Sequence, residues 1–180
     1  MRGCALRLAS CEHVTTVAFE GSTLWHLRQK VGTDLVLWPG ASVVVVRDDD
    51  RVLLGRRLDN GMWAIPGGGA EAGSSFSDTA VTELREEVGI DADEADLDAF
   101  ACISRVDNHL ETYPNGDVTH YFGMWFALRR WSGNPVGDGE EMGEVIWAHL
   151  DDLPRPLLGS TMVGFDLYRS WLETGRFQAY

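Results

Sequence analysis

Gly67-Gly68-Gly69-Ala70-Glu71-Ala72-Gly73-Ser74, leading into Thr82-Glu83-Leu84-Arg85-Glu86-Glu87-Val88-Gly89-Ile90, is the stretch on which the reading of this chain turns. A helix is expected from Ser74 to Val88. Ala80, Val81, Leu84 and Val88 recur on one face, Ser74 or Ser75 suits the N-cap, and Gly89 suits the stop. At about 100° per residue, Glu83, Glu86 and Glu87 fall within an arc of about 100°. Three carboxylates so placed repel one another, and a hard divalent cation would cancel that repulsion. The preceding glycines let backbone approach a ligand closely, so a carbonyl there is available as a further oxygen ligand. An acidic helix face is more often simply solvated, and geometry alone leaves both readings open. Gly67 to Ala72 also satisfies the loose dinucleotide pattern G-x-G-x-x-G/A. Gly73 and the small polar residues that follow separate it from the helix, so that match is weak.

The rest of the chain sets the frame. Its 180 residues suggest one domain with a short extension, and 44% hydrophobic and 24% charged residues exclude a fully disordered chain. With 15 basic and 28 acidic residues the formal net charge is −13, which argues against a broad nucleic-acid footprint. Phosphates would need a local device such as a divalent metal or a few arginines. The longest uncharged run, Leu35 to Val46, has 12 residues and holds Pro39 and Gly40, so it does not span a bilayer. Leu8-Ala9-Ser10-Cys11 resembles a lipoprotein cleavage site, but Arg7 interrupts the apolar stretch, and a cytoplasmic location is expected. Three cysteines, at 4, 11 and 102, and no C-x-x-C give no disulfide framework and no structural zinc site.

A short helix is expected over 22–32, with Ser22 and Gly32 as its caps. Strands 41–47 and 51–57 read as a hairpin around Asp48-Asp49-Asp50, a solvated turn rather than a metal cluster. A short strand is expected at Trp63-Ala64-Ile65. Further strands are expected near 99–106, 118–128 and 145–149, and a last helix near 162–173. Val118 to Leu128 is apolar on both faces and so belongs in the middle of a sheet. The implied class is α/β: an α/β/α sandwich with a mixed central sheet.

The glycine loop and acidic helix resemble a Nudix box, G-x5-E-x7-R-E-U-x-E-E-x-G-U, where U is aliphatic. Gly68, Glu83, Leu84, Glu86, Glu87, Gly89 and Ile90 match, and the resemblance extends from about Trp38 to Pro154. Ser74 and Thr82 stand where the family has a glutamate and an arginine, a pair thought to brace loop against helix. Losing both together leaves no unpaired charge. The resemblance implies a Nudix-like sandwich over 38–180, preceded by an extension over 1–37. It also implies hydrolysis of the pyrophosphate bond of a nucleoside diphosphate linked to another moiety, with Mg²⁺ as cofactor and Mn²⁺ as a substitute. Carried over by position, the metal ligands are Glu83, Glu86, Glu87 and the Gly67 carbonyl. Catalytic acid–base work falls to Glu86, Glu141 and Glu144, with Glu140 behind them.

Arg56, Arg57 and Arg105 are the phosphate-binding candidates. Trp63, Tyr113, Tyr121 and Trp125 are available to stack on a base, although core packing is the default for Tyr121 and Trp125. His120 reads as a satisfied strand histidine. The expected partner is a small nucleotide, with no nucleic acid or membrane, and a homodimer is a possible assembly. Two other readings stand beside this one: a non-catalytic nucleotide-binding module, and a diphosphate isomerase of the same superfamily.

Overall fold

The computed structural model describes residues 20–113 and 115–180. The lipoprotein-like Leu8–Cys11, the cysteines at 4 and 11, and Pro114 of the expected 113–117 turn lie outside the described residues. Helix α1 (Thr23–Val31) leads into β1 (Val36–Val45), β2 (Val52–Arg57), β3 (Trp63–Ala64) and β4 (Gly67–Gly69). After the long helix α2 (Phe76–Val88) come β5 (Ile90–Asp91), β6 (Leu97–Ile103), the single turn α3 (Val106–His109) and β7 (Leu110–Thr112). The chain closes with β8 (Val118–Leu128), β9 (Ser132–Gly133), β10 (Met142–Ala148), α4 (Gly159–Thr174) and β11 (Gln178–Ala179). Among the described residues no helix is long and apolar enough to cross a membrane.

The main sheet runs β11-β6-β8-β1-β4, with β7 also paired to β8. β1 and β8 are parallel, while β6 and β4 join antiparallel, so the sheet is mixed. β1 alternates between two cores, as period 2 requires. Val43 and Val45 meet Ala80, Leu84 and Val88 of α2, while Val44 and Val46 meet Phe165 and Tyr168 of α4 through Phe100 and Trp125. Helices therefore cover both faces, which makes the α/β/α sandwich, and β8 is central as its two-sided apolar pattern requires.

The expected hairpin is corrected. Among the described residues the two strands share a single β-bridge, Val46 to Val52, rather than a ladder. β2 joins a second sheet, β10-β2-β3. The physical reason is that the edges of β1 are already taken, by β8 over ten paired positions on one side and by β4 on the other. The Asp48–Asp50 turn is tied by ion pairs of Asp49 with Arg47 and Arg51 and of Asp50 with Arg129. β1 also begins at Val36, inside the section taken as an extension, and runs through Pro39-Gly40 rather than starting at Ala41.

Helix α2 is stopped as its sequence suggests. Gly89 takes the left-handed conformation at the C-cap. Ser75, not Ser74, is the N-cap: its Oγ accepts from Asp78 N at 3.0 Å, and Asp78 Oδ2 accepts from Ser75 N at 2.9 Å. This reciprocal pair satisfies two otherwise orphaned donors. Ser75→Ala is expected to cost about 1 kcal/mol, read as a lower urea midpoint at unchanged m.

Candidate active site

Two glycines fix the relation between loop and helix. A Cβ at Gly67 would lie 2.4 Å from Ala41 O, and one at Gly68 would lie 2.3 Å from Glu83 Oε1. Only glycine lets β4 lie flush against β1 on one side and the Glu83 carboxylate on the other. Gly67 N donates to Glu87 Oε2 at 2.8 Å, which ties α2 to the loop directly.

Above this junction lies a cavity of about 910 Å³. Its floor is the β1–β8 pairing, where Trp38–Tyr121, Gly40–Gly123 and Ser42–Trp125 succeed one another. Glu83, Glu86 and Glu141 face it, as do Gly67, Gly68, Ser74 and Thr82. Glu87 does not: it is 2% exposed and sits beneath the loop, with Oε1 buried and without a hydrogen-bond partner. The charges oppose one another. Burial, then the carboxylates of Glu141 and Glu86, push Glu83 up to about 8. Burial and then Glu83 raise Glu87 strongly, against the Gly67 amide that favours its ionised form. Burial raises Glu141 as well, while Arg57 opposes that shift.

The expected arginines divide. Arg57 lines the cavity and grips Asp59 with two bonds, Nε to Oδ1 at 3.0 Å and Nη2 to Oδ2 at 2.8 Å. Arg56 is exposed and directs Nε to Gly61 O at 3.3 Å. Adjacent residues of one strand point to opposite faces, so β2 brings only one of the pair to the cavity. Arg105 is exposed, pairs with Asp107 and lies over the Tyr180 ring, outside the cavity lining. Glu144 is an exposed residue of β10, at the bulge between Met142 and Val145, and is no part of the lining. Glu141 reaches the cavity because Asp138 Oδ1 accepts from the backbone N–H groups of Glu140, Glu141 and Met142, folding the loop around itself. The Asp-Gly pair at 138–139 carries a signal for that turn, and it is the missing half of the case for Glu141.

Of the aromatic candidates Tyr113, Tyr121 and Trp125 line the cavity, and His109, which the sequence reading did not single out, joins them. Tyr113 and Tyr121 share a hydroxyl–hydroxyl hydrogen bond of 2.7 Å, and burial raises both, keeping them neutral. His109 is buried edge-on to Trp125, with Nδ1 unpartnered, and burial lowers its pKa. Trp63 is in the core instead. His120 Nε2 meets Ser104 O at 2.8 Å, a satisfied strand histidine.

The NUDIX domain profile matches residues 36–165, spanning the loop, α2 and the β1–β8 cavity floor. The chain belongs to the Nudix family. An uncharacterised Nudix hydrolase, YvcI of Bacillus subtilis (strain 168), is 31% identical over 110 residues, covering 61% of this chain and 65% of that protein. An RNA pyrophosphohydrolase of Halorhodospira halophila is 44% identical over 52 residues, 29% of each chain. The chain thus spans less than two thirds of these relatives' length. The crystal structure of a MutT NUDIX hydrolase from Burkholderia pseudomallei superposes with a TM-score of 0.62 at 24% identity, over 73% of this chain and 98% of that one, a likeness of fold. α1 lies ahead of the matched residues, yet Ser22, Leu24 and Arg28 line this Nudix cavity.

Proposed function

We propose that this chain is a Nudix-type pyrophosphohydrolase that cleaves the pyrophosphate bond of a nucleoside diphosphate linked to another moiety, using Mg²⁺, with Mn²⁺ as a substitute. The observation that carries the reading is the set of mutually repelling carboxylates gathered at the glycine loop: Glu83 and Glu86 in the cavity, and Glu87 beneath it with a buried unpartnered oxygen. Such an atom is costly to leave unsatisfied, and a cation would satisfy it. Among the described residues no three acidic, histidine or cysteine side chains form a ready metal cage. Mg²⁺ is a hard cation that takes carboxylate and carbonyl oxygens and completes its shell with water and substrate phosphates.

Glu83, Glu86, Glu87 and the Gly67 carbonyl would hold the ion. Bound there, it supplies charge neutralisation and polarisation of the phosphorus–oxygen bonds. Glu141 is the favoured base: burial raises its proton affinity toward the working range, and Asp138 fixes its loop. It would accept the proton of the water that attacks phosphorus. Arg57 would exchange Asp59 for a phosphate oxygen and hold the substrate by a charge-assisted bond. The acidic lining disfavours bare phosphate, so affinity is expected to depend on the cation.

The alternative, a non-catalytic nucleotide-binding module, draws support from Ser74 and Thr82, which lack the charged pair of the family motif. A panel of nucleoside triphosphates, nucleotide sugars and dinucleotides separates the two. Phosphate and nucleotide release are assayed with Mg²⁺, with Mn²⁺ and with EDTA. The expected result is turnover with either metal on at least one class and none in EDTA. Nucleotide-dependent thermal stabilisation without product anywhere would sink the hydrolase reading and leave the module.

A further inference from the structure

We propose that Thr23 of α1 is a positioning residue for the loop over 70–75, taking over the bracing that the family motif assigns to positions 74 and 82. The inference rests on the reading of the site as a pyrophosphohydrolase centre, but its first readout does not require turnover. Ser74 and Thr82 are short and uncharged, and among the described residues neither side chain bonds the other across the cavity rim. The loop is nevertheless held. Glu71 Oε2 accepts from Thr23 N at 2.9 Å and also from Thr23 Oγ1, and Ala72 N donates to Thr23 Oγ1 at 3.0 Å. One threonine thus grips a side chain and a main-chain amide of the loop at once. The Glu71 carboxylate sits at the first turn of α1, where the helix dipole favours negative charge.

A brace must itself be anchored, and α1 is anchored at its other end. Arg28 is 6% exposed. Its Nη2 donates to Val118 O at 2.6 Å and to Thr119 Oγ1 at 2.7 Å, and its Nη1 donates to Asp34 O at 2.6 Å and Gly32 O at 3.1 Å. Nε lies 3.6 Å from Asp117 Oδ2. α1 therefore spans from the start of the central strand β8 to the glycine loop. It makes the loop rigid with respect to the cavity floor, where an ion pair at 74 and 82 would make it rigid with respect to α2. The loop leads from Gly68, which touches Glu83, to the cap of α2, so its freedom becomes freedom of the metal-facing carboxylate.

The test compares Thr23→Val, Thr23→Ser, and Thr23→Val combined with Ser74→Glu and Thr82→Arg. Lys30→Ala, an exposed change on the same helix, is the control. In hydrogen exchange, Thr23→Val is expected to lose protection at Ala72 and across 70–75, while Thr23→Ser keeps it. In kinetics, Thr23→Val is expected to lower kcat about tenfold with KM nearly unchanged, since small misplacements in a site cost up to about 10²-fold in rate. Restoring the charged pair at 74 and 82 is expected to recover most of that kcat and the protection of the loop, although not the bond at Ala72. Unchanged protection in Thr23→Val overturns the proposal. So does a kcat loss that the restored pair fails to recover, because that pattern marks a general loss of folding. If wild-type protein turns over nothing in the panel, the functional reading fails, and exchange alone decides whether the brace exists.

Discussion

Glu83→Gln protein is expected to fold normally and to lose turnover by about 10²–10³-fold, the loss typical when a group that stabilises the reacting charge is removed. Glutamine keeps the shape that packs against Gly68, where even a Cβ would come within 2.3 Å of the Glu83 oxygen, so the loop has no steric reason to move. What changes is charge. Glu83 is coupled to the other acids of the site: it raises Glu87 and is raised by Glu141 and Glu86. Removing it would take away a proposed cation ligand and leave Glu87 less opposed. The measurement is the initial rate at saturating Mg²⁺ beside the thermal midpoint without metal. Retention of more than half the rate would show that the metal is held elsewhere. A matching loss of melting temperature would show that Glu83 is structural.

The second large effect is a pH dependence that metal abolishes. Glu83 has its folded pKa raised to about 8, above the ordinary carboxylate value near 4.5. Between those values the folded state binds a proton that the unfolded chain has released. Stability is therefore expected to fall as pH rises from about 4.5 to about 8, and to stay at its lower level above that. The loss for metal-free protein is on the order of 3 kcal/mol, discounted for partial exposure and for coupling to Glu87. On the proposed function Mg²⁺ would bind the ionised form, so its stabilisation is expected to grow with pH and to be largest near pH 8, where it should restore much of the loss. Urea titrations at pH 5, 6.5 and 8, with EDTA and with Mg²⁺, read this directly. Glu83→Gln should flatten the metal-free profile. A stability that rises toward pH 8 without metal would contradict the burial and mutual repulsion argued for these acids.

Much of this protein was legible before any coordinates, wherever one helix or strand held all the needed information. Ala80, Leu84 and Val88 of the expected stripe are buried, with Val81 only half-buried at its margin, and the stop at Gly89 holds; both are properties of a single 3.6-residue repeat. β8 read as central because apolar residues on both of its faces require cover on both. The division of the acids was not legible. Glu83, Glu86 and Glu87 share one arc, yet Glu83 and Glu86 face the cavity while Glu87 turns under β4 to the Gly67 amide. An arc of about 100° cannot say where a neighbouring strand will cross it.

The sequence by itself determined the family resemblance, the Gly89 stop of α2 and the carboxylates that suit a divalent cation, because each depends on residues within one turn or one strand, while the choice of Ser75 over Ser74 as N-cap waited for the structure. Only the tertiary structure decided that Arg57 enters the cavity while Arg56 and Arg105 do not, that Asp138 presents Glu141, and that a helix ahead of the family-matched residues grips the glycine loop. Thr23 and Glu71 are 48 positions apart, and Arg28 and Val118 are 90 apart. Contacts at such separation form only when the sheet has closed, so no local periodicity records them.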